Sequence, residues 1–151
     1  MALAAAQVAD RVAAILVAAA TAASSRVFTS RTWPLAEAEL PALRVYVDAE
    51  QIEPETIDYP YLQKHSAAVR VQGSVQASAD IDDAMHNLAE QVLSALFGTQ
   101  ANAQLQPLTN VYMTASEIDR AVIDGPADVG QITVGLAVQF RTFSNNPSTL
   151  V

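Results

Sequence analysis

Apolar positions recur at helical spacing in two stretches of the chain and alternate with polar positions in several others. Between residues 3 and 22, Val8, Val12, Ile15, Leu16 and Ala19 stand at i, i+4, i+7, i+8 and i+11, which puts them on one face of a helix. Most of the remaining positions are alanine, the strongest helix former. A helix so poor in charge leaves little surface for water. Its two sides are expected to meet a sheet and either a second helix or a neighbouring subunit. The second periodic stretch starts after Ser78 or Asp80, either of which can cap it, and carries Asp82 and Asp83 in its first turn, where the helix dipole favours negative charge. Ile81, Met85, Leu88, Val92 and Leu96 form its apolar stripe, and Gly98 is the expected stop.

Strict alternation predicts the strands. Leu43, Val45 and Val47 point inward from one of them. In the clearest, Ala67, Val69, Val71, Val75 and Ala77 face one way and Ser66, Arg70, Gln72, Ser74 and Gln76 the other, with Gly73 keeping the period and marking a bulge or a close backbone approach. The last strand spans residues 131 to 143, with Ile132, Val134, Leu136, Val138 and Phe140 inward. A short strand is expected at residues 26 to 30 and another at residues 109 to 114, while residues 115 to 130 fit no period clearly. Pro34 pushes Trp33 out of helical geometry, so residues 31 to 35 read as a loop. Residues 48 to 60 hold five acids, two prolines and no base, which predicts a projecting loop or loose hairpin.

Together these elements predict an α+β fold, a two-layer sandwich with two helices on one face of a mixed, mostly antiparallel sheet of four to five strands. Residues 1 to 143 form a single domain on this reading, and residues 144 to 151, with Asn145-Asn146-Pro147 ending the last strand, form a loose tail. The other sheet face carries small and polar side chains, and the sheet edges need protection, which a ring of subunits supplies.

Composition narrows the possibilities. The chain has 151 residues, 51% of them hydrophobic, enough for one globular core. It has no cysteine, which excludes disulfides, thiolate metal sites and a cysteine nucleophile. Sixteen acidic residues stand against eight basic ones, seven of them arginines with Lys64 the only lysine, for a net charge of −8. Gripping duplex DNA takes many cation–phosphate contacts, and this balance opposes it. Residues 12 to 20 superficially resemble a signal peptide, but no basic segment precedes them and Asp10 and Arg11 stand directly before. The run is too short to span a bilayer, so a core helix and no membrane partner are expected.

Candidate chemistry is sparse. Asp82, His86 and Glu90 share one helix stripe at i, i+4 and i+8, a spacing that suits a divalent metal but equally a solvated face opposite the apolar stripe. His65, beside Lys64 at the start of a strand, reads as a surface residue. The acids of residues 48 to 58 lack the glycine and flanking helices of a calcium loop. Neither a phosphate-binding loop nor a nucleophile elbow is present. No catalytic residue, metal ligand or cofactor is therefore assigned. Arg26, Arg31 and Trp33 are candidate interface anchors, residue types that dominate binding hot spots. Trp33 fits equally well as a loop tryptophan capping the core.

The ordered set of segments resembles a known family. Arg26 to Arg31, Trp33-Pro34-Leu35, Leu40-Pro41-Ala42-Leu43-Arg44-Val45, the acidic connector, the helix start Asp80-Ile81-Asp82-Asp83 and the closing Phe140-Arg141-Thr142-Phe143 are together similar to the tail-terminator, or tail-completion, proteins of long-tailed bacteriophages. The resemblance covers nearly the whole chain. It implies a structural virion protein, present in the host cytoplasm during assembly and then in the tail or neck. Six copies would form a ring that caps the tail tube, stops its growth and offers a surface to the neck. The implied partners are the chain itself, the tail tube protein and a head-completion or neck protein, with DNA passing through unbound. Glu50, Glu53, Glu55 and Asp58 are candidates to face the lumen or the adjacent ring, where like charge keeps a duplex mobile. Ordinary solubilising charge is their other reading. A head-completion or connector subunit is the neighbouring alternative, and a small metal-assisted enzyme built on Asp82, His86 and Glu90 a distant one.

Overall fold

The computed structural model describes residues 3–19, 21–23, 26–29, 41–76, 80–98, 108, 110–123 and 129–151. Along the chain these form α1 (Ala4–Ala18), β1 (Val27–Phe28), β2 (Ala42–Pro54), β3 (Leu62–Gln76), α2 (Ile81–Phe97), β4 (Tyr112–Ile123) and β5 (Val129–Phe143). The strands make a five-stranded mixed sheet in the order β1-β2-β3-β5-β4, with β1 parallel to β2 and every other pair antiparallel. Both helices pack on one face of this open sheet, giving the expected two-layer α+β sandwich.

The core lies where the periodic stripes predict it, except that Ala19 is exposed and Ile81 only half-buried. Val8, Val12 and Leu16 of α1 and Met85, Leu88, Val92 and Leu96 of α2 are buried against Val45, Val69, Val71, Ile132, Val134 and Leu136. Each large side chain so buried stabilises the fold by about 1.5–3 kcal/mol relative to exposure. At Gly73 the side chain of Leu88 from α2 approaches β3 closely. A Cβ there would come 2.7 Å from Leu88 Cδ2 and 3.1 Å from Leu43 Cδ2 and Ile132 Cγ1. Of the two roles expected for Gly73, close approach is the one realised, because the ladder runs through it without a register shift.

Several boundaries differ from expectation. α1 ends at Ala18, before residue 22, and the turn that follows is fastened to α2 by the Ala22 amide donating to Gln91 Oε1 at 2.7 Å. Asp80 is the N-cap of α2 but has φ 58° and makes no side-chain capping bond. A hydrogen bond with Asp80 instead raises the Asp83 carboxyl above its ordinary range. Gly98 follows α2 with an ordinary helical φ of −67°. Ser78, the other expected cap, and the loop at residues 99 to 107 lie outside the described residues.

β4 runs on to Ile123, through most of the segment that fits no period. A register shift between Ala115 and Glu117 breaks its alternation, which is why the sequence pattern fades there. The tail is not loose. The Pro147 carbonyl accepts the Ala4 amide at 3.2 Å, Ser148 accepts Gln7 Nε2 at 2.7 Å, and the Val151 amide donates to the Arg141 carbonyl at 3.0 Å. α1 has no side-chain N-cap, and the Pro147 carbonyl satisfies the Ala4 amide, one of the donors a helix start leaves open.

Candidate functional site

The hairpin expected at residues 48 to 60 is present and more regular than a loose one. Residues 48 to 60, expected as a loop or loose hairpin, continue β2 as far as Pro54, and β3 begins at Leu62. β2 pairs with β3 through Pro54↔Gln63, and β3 pairs with β5 as far as Leu62↔Phe143. The result is a three-stranded arm, and residues 51 to 61 are exposed along it.

A bulge sets the chemistry of the arm. The register of β2 shifts between Val47 and Ala49, so Glu50, rather than Ala49, continues the inward face of Val45 and Val47. Its carboxylate lies 2.5 Å from Nδ1 of His65, whose Nε2 lies 2.7 Å from Thr142 Oγ1. His65, expected at the surface, is only 5% exposed and stacks on Phe140 with ring centroids 4.7 Å apart. Both ring nitrogens of His65 thus have a polar partner, the Glu50 carboxylate on one side and the Thr142 hydroxyl on the other. Carboxylate, imidazole and hydroxyl in this order resemble a nucleophile relay. Thr142 is 0% exposed, however, so no substrate reaches its oxygen, and the trio acts as a fastener between β2, β3 and β5.

Parity alone could have found His65 and Thr142. His65 is in phase with Ala67, Val69 and Val71, and Thr142 with Val138 and Phe140.

The arm's tip is built from polar and aromatic contacts. Arg141 grips Glu55 through two bonds, Nε–Oε2 at 2.7 Å and Nη2–Oε1 at 3.2 Å, and this holds the Glu55 carboxyl below the ordinary carboxylate range. The Glu55 amide donates to the Leu62 carbonyl at 2.7 Å, the Leu62 amide to Thr56 Oγ1 at 2.9 Å, and Tyr61 and Ser144 exchange two further bonds. Tyr59 and Tyr61 meet edge to face with centroids 5.8 Å apart. Ile57 is nevertheless 94% exposed and Tyr59 72%. Glu53 stands opposite Lys64 in the ladder, and Asp58 lies in the exposed turn. Two of the four candidate acids, Glu50 and Glu55, are thus paired within the chain.

No protein-family model and no curated protein matches this chain.

The helix-free face of the sheet carries a second polar arrangement. Arg70, central on β3, reaches Glu117 on β4 in one direction and Asp48 in the β2 bulge, at 3.5 Å, in the other. Glu117 faces this side only because β4 bulges just before it. The hydrogen bond from Arg70 to Glu117 raises the guanidinium pKa still further. The ion pair crosses Gly135 of β5, where a Cβ would lie 2.5 Å from Arg70 Nη1 and 2.8 Å from Glu117 Cγ.

Arg26, a candidate interface anchor, donates Nε to the Pro41 carbonyl at 2.9 Å and Nη2 to the Ala22 carbonyl at 3.3 Å, tying the turn after α1 to the start of β2. Arg31 and Trp33 lie outside the described residues. Asp82, His86 and Glu90 are exposed on α2, and among the described residues no group of three or more histidines and acids is placed to hold a metal ion. The hollows described beside α2 are lined by residues such as Ala22, Ala84, Asn87 and Gln91 and contain no titratable group. No helix among the described residues is long and apolar enough to cross a membrane.

Proposed function

We propose that this chain is a tail-terminator subunit of a long-tailed bacteriophage. Six copies close into a ring that caps the tail tube, ends its polymerisation and receives the neck, while DNA passes through without being gripped. The observation that supports this reading best is the outer edge of β4: among the described residues, no strand pairs with it along Tyr112–Ile123. An open edge of this length is a site for a neighbouring chain.

A contact between that edge and a different surface of the next copy repeats around a ring. The acidic balance fits a channel that does not retain phosphate.

The test is electron microscopy of the full chain mixed with uncapped tail tubes of the same virion. Six-fold caps on one tube end are expected. Tubes that stay bare, or keep lengthening when tube protein is supplied, would overturn the reading.

A further inference from the structure

We propose that residues 144–151 act as a latch that couples the tip of the β2–β3 arm to the start of α1. Seated, the segment holds both in place; unseated, it lets both loosen together.

Contacts run the length of the segment. At the arm, the Ser144 amide donates to the Tyr61 carbonyl at 2.8 Å, and the Ser144 hydroxyl accepts the Tyr61 amide at 2.9 Å. A turn follows, in which the Asn146 amide donates to the Phe143 carbonyl at 2.9 Å and Asn146 Oδ1 accepts the Thr149 hydroxyl at 3.1 Å. At α1, the Pro147 carbonyl accepts the Ala4 amide and the Ser148 carbonyl accepts Gln7 Nε2. Leu150 then lies half-buried against the core. Among the described residues, β4 pairs with β5 only as far as Tyr112↔Gln139, and the Val151 amide serves the Arg141 carbonyl beyond that point. The side chain of the same Arg141 grips Glu55, so the segment returns to the arm it left.

The balance of forces makes this segment a two-state element. Ordering the backbone of one residue costs about as much as one net hydrogen bond returns. Residues 144–151 are held by a handful of hydrogen bonds and one half-buried leucine, so the seated state persists only while contacts at both ends remain. Removing an anchor at one end shifts the whole segment, and the other end responds. Such coupling is reciprocal. Anything that binds the arm alters the start of α1, and anything that binds α1 alters the arm.

The experiment is amide hydrogen exchange, read residue by residue by NMR, on the full chain and three variants. Gln7→Ala removes a contact at the α1 end only, and Ser144→Ala removes one at the arm end only. Leu150→Ser removes the apolar seat between them. Gln7→Ala is expected to speed exchange of the Tyr61 and Glu55 amides, and Ser144→Ala that of the Ala4 amide. Each distant effect should be about fivefold, as loss of one net hydrogen bond from a shared equilibrium predicts. Leu150→Ser should speed exchange at both ends by about tenfold. The amides of Val69 and Val134, beneath the helices, should keep their wild-type rates in the two single-end variants.

Acceleration confined to the substituted end would leave the segment a passive cap and overturn the latch. Equal acceleration at every amide, Val69 and Val134 included, in both single-end variants would mark a general loss of stability and overturn it as well.

Discussion

The helix-covered part of the sheet and the arm that extends it share the same three strands but are held together by different forces. In the covered part, Val45, Val69, Val71, Val134 and Leu136 lie beneath α1 and α2 with at most 1% exposure, and the stabilising quantity is apolar area removed from water. Toward the tip of the arm, residues 51 to 61 are exposed. The ladder is fastened by Glu50–His65–Thr142 on the inward side and by Glu55–Arg141 at the tip. One sheet can thus have a dry half that sets global stability and a wet half that stays shaped while exposing Ile57 and Tyr59. The difference explains how exposed apolar side chains are tolerated on a marginally stable domain.

Four substitutions test the contrast. Leu88→Ala, in the covered half above Gly73, should have the largest effect, a loss of about 2–5 kcal/mol in urea unfolding, as for a large core side chain cut to a methyl. A loss under about 1 kcal/mol there would show that α2 does not hold the sheet. His65→Ala should follow at about 1–3 kcal/mol, since it strands the Glu50 carboxylate and the Thr142 hydroxyl beside Phe140. An unchanged denaturation midpoint would mean the trio fastens nothing.

Glu55→Gln should act on the arm's tip, lowering its protection at neutral pH and removing its response to acid, with only a small change in the global midpoint. The Arg141 bond holds the folded Glu55 carboxyl below its unfolded value, so its contribution is present above the ordinary carboxylate range and disappears as pH falls through the depressed folded value. In the wild type, protection of the Glu55 amide from hydrogen exchange should therefore drop with acid, and in the Gln variant that dependence should be lost. An identical pH response in both proteins would contradict the assignment. Smallest of all is Ile57→Ser, which removes a side chain already in water and should shift stability by less than about 0.5 kcal/mol. A larger shift would mean that the tip packs against the body.

Much of the fold was legible in the sequence. The stripe from Met85 to Leu96 and the alternations around Val69 and Val134 report which side chains face inward, because helix and strand periods follow from local backbone geometry. The candidate site was legible only as composition. Five acids and two prolines made residues 48 to 60 look like a loop or loose hairpin, since nothing within that segment reveals that residues 62 to 68 pair with it and residues 137 to 143 pair beyond. The tail went unread for the same reason, as its partners lie on α1 at the opposite end of the chain.

By itself, then, the sequence determined the two amphipathic helices, the inward face of each long strand, the acidic balance and the absence of thiol chemistry. Only the tertiary structure decided that β2 and β4 bulge, that Glu50 meets His65, that Arg70 spans Gly135 to reach Glu117, and that the tail caps α1. The physical reason is range. A period is set between neighbours along the chain, whereas a bulge or an ion pair is set by which distant strands align, as in the contact between His65 and Thr142, 77 residues apart.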